Sequence, residues 1–271
     1  MTAKNAELPR VAVNGAMGHM GSMVVRELAT DAELRLGAAV DVPRHPGLGR
    51  DVGTLVGLGM PLGVSLSDDL DSDVNVMIDF STPAGAMRCM ETCVQRKIPL
   101  VLGTTGLDEH QTSKVRAAAN IIPVVFAPNM SAGINLLLKV VAEVARALGP
   151  DYDVEIVETH HRFKKDAPSG TALKLAEVIA KATGREIGKD AVFGRHGPHA
   201  ERRAGEIGIH AVRAGDVVGE HTVTFAALGE RVELAHKVGS RETFARGALR
   251  AAKFLLAKKP GLYSMLDVLG L

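Results

Sequence analysis

Val11-Ala12-Val13-Asn14-Gly15-Ala16-Met17-Gly18-His19-Met20-Gly21 carries an apolar strand signal straight into a glycine-rich turn, and a helical pattern then runs to about Thr30. A strand, a glycine turn and a helix in that order put backbone amides at the positive end of a helix dipole, where phosphate oxygens can approach bare backbone. The spacing is G-x-x-G-x-x-G, which departs from the usual dinucleotide pattern G-x-G-x-x-G. A tight strand-to-helix turn with no ligand satisfies the same residues. Two neighbours favour a dinucleotide: the apolar strand in front, and Asp41, which ends the next apolar run 20 residues after Gly21 and offers a carboxylate to a ribose diol. An acidic turn former at a strand end is the plainer account of Asp41.

Outward from this unit the first half alternates apolar runs with helical patterns. Strands are expected at Arg10 to Asn14, Leu36 to Val40, Val74 to Asp79, Pro99 to Leu102 and Ile122 to Phe126, with helices at Pro83 to Lys97 and Asp108 to Ala119. That alternation predicts a parallel sheet with crossover helices. Asp41 to Leu66 is rich in Gly and Pro and reads as loop with a short strand. Ala132 to Leu148 is a strongly apolar helix that carries the chain out of this unit. Three junctions fall where strands of such a sheet end: Asp79-Phe80-Ser81-Thr82-Pro83, Gly103-Thr104-Thr105-Gly106 and Ala127-Pro128-Asn129-Met130-Ser131. Each alone is an ordinary turn or cap. Together they mark the carboxyl ends of strands, where ligands of open parallel sheets collect, as a nicotinamide-facing surface.

The second half reads differently. Gly205 to Arg213, Glu220 to Ala227 and Arg231 to Val238 alternate like strands with short turns between them, which predicts a smaller α+β unit with a mostly antiparallel or mixed open sheet. From Thr243 to Ala257 the pattern is helical again, and this tail is expected to return to the first unit.

Composition excludes more than it selects. The chain has 271 residues and a formal net charge of +1, so nothing global points to nucleic acid. Arg195, Arg202 and Arg203 lie in a mixed-charge stretch with few aromatic stacking partners, which reads as a solvated or interdomain loop. No apolar stretch approaches a membrane span and no signal peptide is visible, so a cytoplasmic protein is expected. Cys89 and Cys93, four apart in an expected helix with no further cysteines, read as buried thiols. His196 and His199 lack the spacing of a recognised metal site, and no metal is expected.

The second functional signal is the run Glu158-Thr159-His160-His161-Arg162-Phe163-Lys164-Lys165-Asp166-Ala167-Pro168-Ser169-Gly170-Thr171-Ala172. It follows a strand-like segment, Asp153 to Val157, and precedes apolar residues at helical spacing up to Thr183. Pro168 suits the first turn of a helix, and the amides of Ser169, Gly170 and Thr171 are expected as unpaired donors for a carboxylate. Lys164 adds a full positive charge, and the histidines titrate near neutrality. A structural cap beside solvated histidines uses the same residue types. The combination of three kinds of anion-binding or proton-transferring group favours a catalytic site.

At this point the chain resembles the dihydrodipicolinate reductase (4-hydroxy-tetrahydrodipicolinate reductase) family. The likeness covers nearly the whole chain: the glycine loop, Gly103-Thr104-Thr105-Gly106, Ala127-Pro128-Asn129, the segment from His160-His161 through Lys164 to Thr171, Arg213-Ala214-Gly215-Asp216-Val217-Val218-Gly219-Glu220-His221, and Ser240-Arg241-Glu242-Thr243-Phe244-Ala245. The resemblance implies a Rossmann-type dinucleotide-binding domain from residues 1–131 and 241–271. It implies an inserted substrate-binding and oligomerisation domain at 132–240, and a homotetramer. It implies His160 as proton donor and acceptor, Lys164 as a second catalytic cation, and His161, Ser169, Gly170, Thr171 and Thr105 as substrate contacts. It implies NADH or NADPH held by Gly15, Ala16, Met17, Gly18, His19, Met20, Asp41, Gly103, Thr104, Thr105, Ala127, Pro128, Asn129 and Met130. The substrate would be a small cyclic imine with two carboxylates.

Two departures bear on the cofactor. Many relatives place an arginine after the acidic ribose residue, whereas here Val42 and Pro43 follow Asp41, and His19 stands where arginine is frequent. Arg44 is displaced by two positions. NADH is therefore expected to serve at least as well as NADPH. Another dehydrogenase of the same discontinuous architecture, or a nicotinamide-binding sensor without catalysis, would keep the glycine loop but would not need the His160 to Thr171 arrangement.

Overall fold

The structure, a computed structural model, describes residues 7–271. The chain divides into two compact units, one formed by Met1–Ala132 with Arg241–Leu271 and the other by Gly133–Ser240. In chain order the first unit contains β1 (Arg10–Asn14), α1 (His19–Leu28), β2 (Arg35–Val40), α2 (Val52–Leu55), β3 (Leu66–Ser67), β4 (Val76–Asp79), α3 (Pro83–Arg96), β5 (Leu100–Leu102), α4 (Glu109–Ala118) and β6 (Pro123–Phe126). Helix α5 (Ala132–Leu148) opens the second unit, followed by β7 (Asp153–His160), α6 (Gly170–Thr183), α7 (Ile187–Asp190), β8 (Ala191–Phe193), β9 (Ile207–Arg213), β10 (Gly219–Ala227) and β11 (Glu230–Val238). The chain then returns to the first unit as α8 (Glu242–Leu255), β12 (Gly261–Tyr263) and α9 (Met265–Leu269).

The first unit is a parallel sheet in the order β3-β2-β1-β4-β5-β6-β12. Val11, Ala12 and Val13 are wholly buried without alternation, because helices cover both faces. On one face α1, α8 and α9 pack through Val24, Val25, Leu249, Leu255 and Met265; on the other, α3 and α4 pack through Met90, Cys93 and Val115. The chain steps outward from β1 to β3 and restarts at β4 on the other side of β1. That reversal opens a crevice at the carboxyl ends of β1 and β4.

Local chemistry starts and stops these helices. Pro83 opens α3, Thr82 caps it by accepting from the Gly85 amide at 3.2 Å, and Lys97 ends it in the left-handed region. Asp108 and Gln111 form a reciprocal capping box on α4. Between Asp41 and Leu66 the expected loop contains the two-residue β3 and the single turn α2. Asp51 organises it by accepting from the amides of Thr54, Leu62 and Gly63. The terminal β12 and α9 were not foreseen, since three and five residues are too few to display a period.

The second unit holds a five-stranded sheet in the order β11-β10-β7-β9-β8. It is mixed: β7, β10 and β11 pair antiparallel, whereas β7 with β9 and β9 with β8 are parallel. The expectation of a mostly antiparallel or mixed sheet is thus met on its mixed side; β8 and the single turn α7 escaped notice for their brevity. Helices α5 and α6 cover one face through Ile134, Leu137, Val141, Leu175 and Ile179 over Ile156, Ile209, Val223 and Phe225. Arg195 and Arg202 do not lie in a solvated loop. Arg195 pairs with Glu155 and Glu206 at 3.0 and 3.1 Å, and Arg202 pairs with Asp153 and Glu155 at 2.8 and 2.5 Å.

Strand β7 reaches His160, three residues beyond the expected end, because β9 pairs with it as far as His160 and β10 as far as Thr159. Its period of two buries Val154, Ile156, Glu158 and His160 on one face. Two ionisable side chains therefore continue the apolar stripe at the strand's end. Pro168 does not begin the helix; it follows a cis peptide and precedes Ser169, the N-cap of α6.

Candidate active site

In the first unit the glycine turn is dictated by contact. Gly15 adopts φ 74°, and a Cβ there would sit 2.6 Å from the Phe80 carbonyl oxygen; at Gly21 it would sit 1.9 Å from the Gly15 carbonyl oxygen. Most amides of the turn are not bare. Gly15 and Ala16 donate to the Val40 carbonyl at 2.9 and 3.0 Å, Gly18 donates to Gly15, and Met17 donates to Asp41 Oδ2 at 2.7 Å. The donors left to a phosphate are the first-turn amides of α1, at His19, Met20 and Gly21, behind an N-cap glycine without a side chain.

Asp41 bridges the turn and the end of β2, its Oδ1 accepting from the Val42 amide at 2.7 Å. Beside it a cleft of about 400 Å³ is lined by Gly15, Gly18, Asp41, Phe80, Thr82 and Arg88, with Asp68 and Asp69 also on its wall. A larger cavity of about 660 Å³ around Arg10, Arg35 and Asp71 contains no residue of the glycine turn.

Asp79, wholly buried at the end of β4, ties three strand ends together. It accepts from Asn14 Nδ2 at 2.5 Å, from Ser81 Oγ at 2.9 Å and from the Thr104 hydroxyl, which in turn accepts from the Ser81 amide. Thr104 is thus used inward while Thr105 is exposed. The Phe80 ring packs on Gly103, where a Cβ would fall 2.2 Å from it. The side chains of Ala16, Ala127 and Met130 are core, so these three can meet a cofactor only through backbone. Pro128 is exposed, and Asn129 Oδ1 accepts from the Ser131 amide at 2.9 Å. Arg88, Asp68 and Asp69 line the cleft and were missed as cleft residues. No local motif marks a helix-face arginine or the loop aspartates after Ser67 as ligand-facing.

In the second unit, Glu158 is wholly buried and His160 is 8 % exposed. Glu158 Oε2 lies 2.5 Å from His160 Nδ1 and 2.9 Å from Arg213 Nη1, and Oε1 accepts from Arg213 Nη2 at 3.0 Å and from the Ser169 amide at 2.9 Å. Arg213 arrives because it is the register partner of His160 in the parallel β7–β9 pair. His221, the register partner of Glu158 on β10, presents its ring edge-on to His160 at 5.2 Å, and its Nε2 lies 3.2 Å from Ser169 Oγ. Ser169 is therefore occupied: its amide by Glu158, and its hydroxyl by His221 and the Ala172 amide. It positions the start of α6 and is not an open donor, contrary to expectation. Lys164 pairs with Asp166 Oδ1 at 2.9 Å. His161 is half-buried, Gly170 is exposed and Thr171 half-buried on the first turn of α6.

Burial pushes the His160 imidazole below its ordinary pKa; Glu158 opposes the shift, and the charges of Lys164 and Arg213 add to it. Burial alone would raise Glu158, yet donation from Arg213, His160 and Ser169 holds it below the usual carboxylate range. The site at rest therefore combines an ionised carboxylate with a neutral imidazole at pH 7. Glu158, Arg213 and His221 were present in quoted motifs without a role, for their meeting depends on strand register. Among the described residues no group of three or more His, Cys, Asp or Glu is arranged to hold a metal ion. Cys89 and Cys93 are buried free thiols. Among the described residues no helix is long and apolar enough to cross a membrane.

A family profile described as dihydrodipicolinate reductase, N-terminus, matches residues 9–130, and one described as dihydrodipicolinate reductase, C-terminus, matches 133–269. A 4-hydroxy-tetrahydrodipicolinate reductase of Hahella chejuensis is 49% identical over 267 residues, covering 97% of this chain and 100% of the relative. One from Nitrosomonas europaea is 47% identical, covering 96% and 98%. Among solved structures, dipicolinate-bound dihydrodipicolinate reductase from Paenisporosarcina sp. TG-14 superposes with a TM-score of 0.76 at 26% identity, covering 96% of this chain and 99% of the other. GenD2 in complex with NAD, at 16% identity and a TM-score of 0.56, shares the fold.

Proposed function

The chain belongs to the dihydrodipicolinate reductase family, and from that premise we propose that His160 and Lys164 carry its reaction. The enzyme reduces 4-hydroxy-tetrahydrodipicolinate to tetrahydrodipicolinate in lysine and diaminopimelate biosynthesis, with a nicotinamide cofactor as hydride donor. In this reading the α1 amides at His19 and Met20 face the pyrophosphate and Asp41 faces a ribose. The backbone of residues 103–105 and 127–130 borders the nicotinamide end.

The substrate is a cyclic imine with two carboxylates. Lys164 and the first-turn amides of α6 at Gly170 and Thr171 meet one carboxylate, with His161 as a further contact. Loss of the 4-hydroxyl as water leaves a conjugated imine; hydride addition to that ring leaves electron density on the neighbouring carbon and nitrogen, and a proton from the His160 imidazolium quenches it. Because His160 rests neutral, the dianion itself supplies the field that raises its pKa and recruits the proton. The single observation that carries this reading is the buried imidazole at the end of β7, held on an ionised carboxylate. The test is oxidation of NADH or NADPH with freshly synthesised product of the preceding condensation. Absence of turnover with either cofactor would sink the assignment.

NADH serves at least as well as NADPH in this reading. Asp41, Asp68 and Asp69 line the cleft and oppose a ribose phosphate; Val42 supplies no cation, and Arg44 is exposed with φ 70° and does not line the cleft. Arg88 is the cation on that wall. The ratio of kcat/KM for the two cofactors on one preparation is expected at or above about 1 in favour of NADH, and a strong NADPH preference would overturn it. The enzyme works as a cytoplasmic homotetramer, which sedimentation equilibrium would check.

A further inference from the structure

We propose that Glu158 is the positioning residue for His160: it fixes Nδ1 as a permanent donor and leaves Nε2 as the atom that exchanges the proton, while Arg213 keeps the carboxylate ionised and aimed. The inference rests on the reading of His160 as the acid–base group and adds to it which nitrogen acts and what holds it.

The assignment follows from donor and acceptor counting. Glu158 receives two N–H groups of Arg213 and the Ser169 amide, all obligate donors. A carboxyl so surrounded is ionised and can only accept. The 2.5 Å contact to His160 Nδ1 is then attractive only if Nδ1 carries the hydrogen. The proton balance closes on the other nitrogen. Imidazolium Nε2–H gives its proton to the reduced ring, the Nε2–H bond breaks, and the neutral ring keeps Nδ1–H on Glu158 until Nε2 takes a proton from water.

The surroundings leave Nε2 for that task. Its neighbour is Gly219, where even a Cβ would come within 3.1 Å of it. The groups facing the ring are Glu158 from β7, Arg213 from β9, His221 from β10 and Lys164 from the loop. His221 meets the His160 ring edge-on at 5.2 Å, and its own Nε2 is engaged by Ser169. Arg213 also donates to the Asp166 carbonyl at 2.6 Å, so the same guanidinium fixes the carboxylate and the loop carrying Lys164.

Two measurements test the proposal. In the unaltered protein, nitrogen-15 NMR of His160, assigned by its absence from H160Q, is expected to show the neutral ring protonated at Nδ1; protonation at Nε2 overturns the proposal without any question of folding. In Glu158→Gln, kcat is expected to fall about 10²-fold or more with KM for the cofactor little changed. The ionisation seen in kcat/KM should move to lower pH, and adding H160Q to E158Q should cost little more. E158Q with unaltered kcat and pH profile beside an impaired H160Q overturns the role of Glu158. An unimpaired H160Q instead overturns the acid–base reading beneath it.

Discussion

His160 and Lys164 are the side chains whose loss should speak most directly. His160→Gln is expected to lower turnover by about 10²-fold or more while nicotinamide binding, followed by fluorescence titration, stays near its original value. Lys164→Ala is expected to lower turnover heavily and to raise KM for the dicarboxylate, because the ammonium acts on substrate charge. His221 supports a prediction about stability. Burial, with the His160 charge next, holds it down to about 4 against 6.5 for a free imidazole. As pH falls, the unfolded chain takes up this proton first, so the contribution is complete above pH 6.5 and is lost between 6.5 and about 4. For a ring 5 % exposed the loss is on the order of 3 kcal/mol. Urea midpoints at about pH 7.5 and about pH 4.5 would show it, and His221→Gln should lose less over that interval. The imidazole pair and the lysine were legible in the chain because they crowd into one run of residues. Arg213, 55 positions from Glu158, was not, since only the parallel register of β7 and β9 brings it there.

At the scale of elements, the glycine turn and the helix starts carry the testable consequences. A methyl at Gly21 would collide with the Gly15 carbonyl, so Gly21→Ala should push α1 away from β1 and weaken dinucleotide binding along with stability. Isothermal titration with NADH and a thermal melt would read both. Thr82→Ala removes the cap of α3 and is expected to cost about 1 kcal/mol in a denaturant titration. The strands of the first unit could be read because burial on both faces makes them continuous apolar runs, as in Val11-Ala12-Val13. The end of β7 was misjudged for a related reason. Glu158 and His160 look like loop chemistry in a list of residues, although they occupy inward positions of an alternating strand. Pro168 misled similarly, for proline is as much at home before a cap as after it.

For the molecule as a whole, the return of the chain to its first unit was foreseen from the helical pattern after Thr243. The closing strand and helix were too short to foresee. Met265, 1 % exposed, seats α9 in the core of that unit, and Met265→Ala is expected to cost about 2–5 kcal/mol by chemical denaturation. The sequence separation of these pieces has a consequence for biosynthesis. All five strands of the inserted unit have been translated by residue 238, whereas the sheet of the first unit lacks its edge strand until residue 263 and its last covering helix until residue 269. On the ribosome the insert can mature while its host waits with an unsealed hydrophobic face, so a premature stop just before residue 261 would release a polypeptide with a finished middle and a sticky dinucleotide fold short of its edge strand and last covering helix.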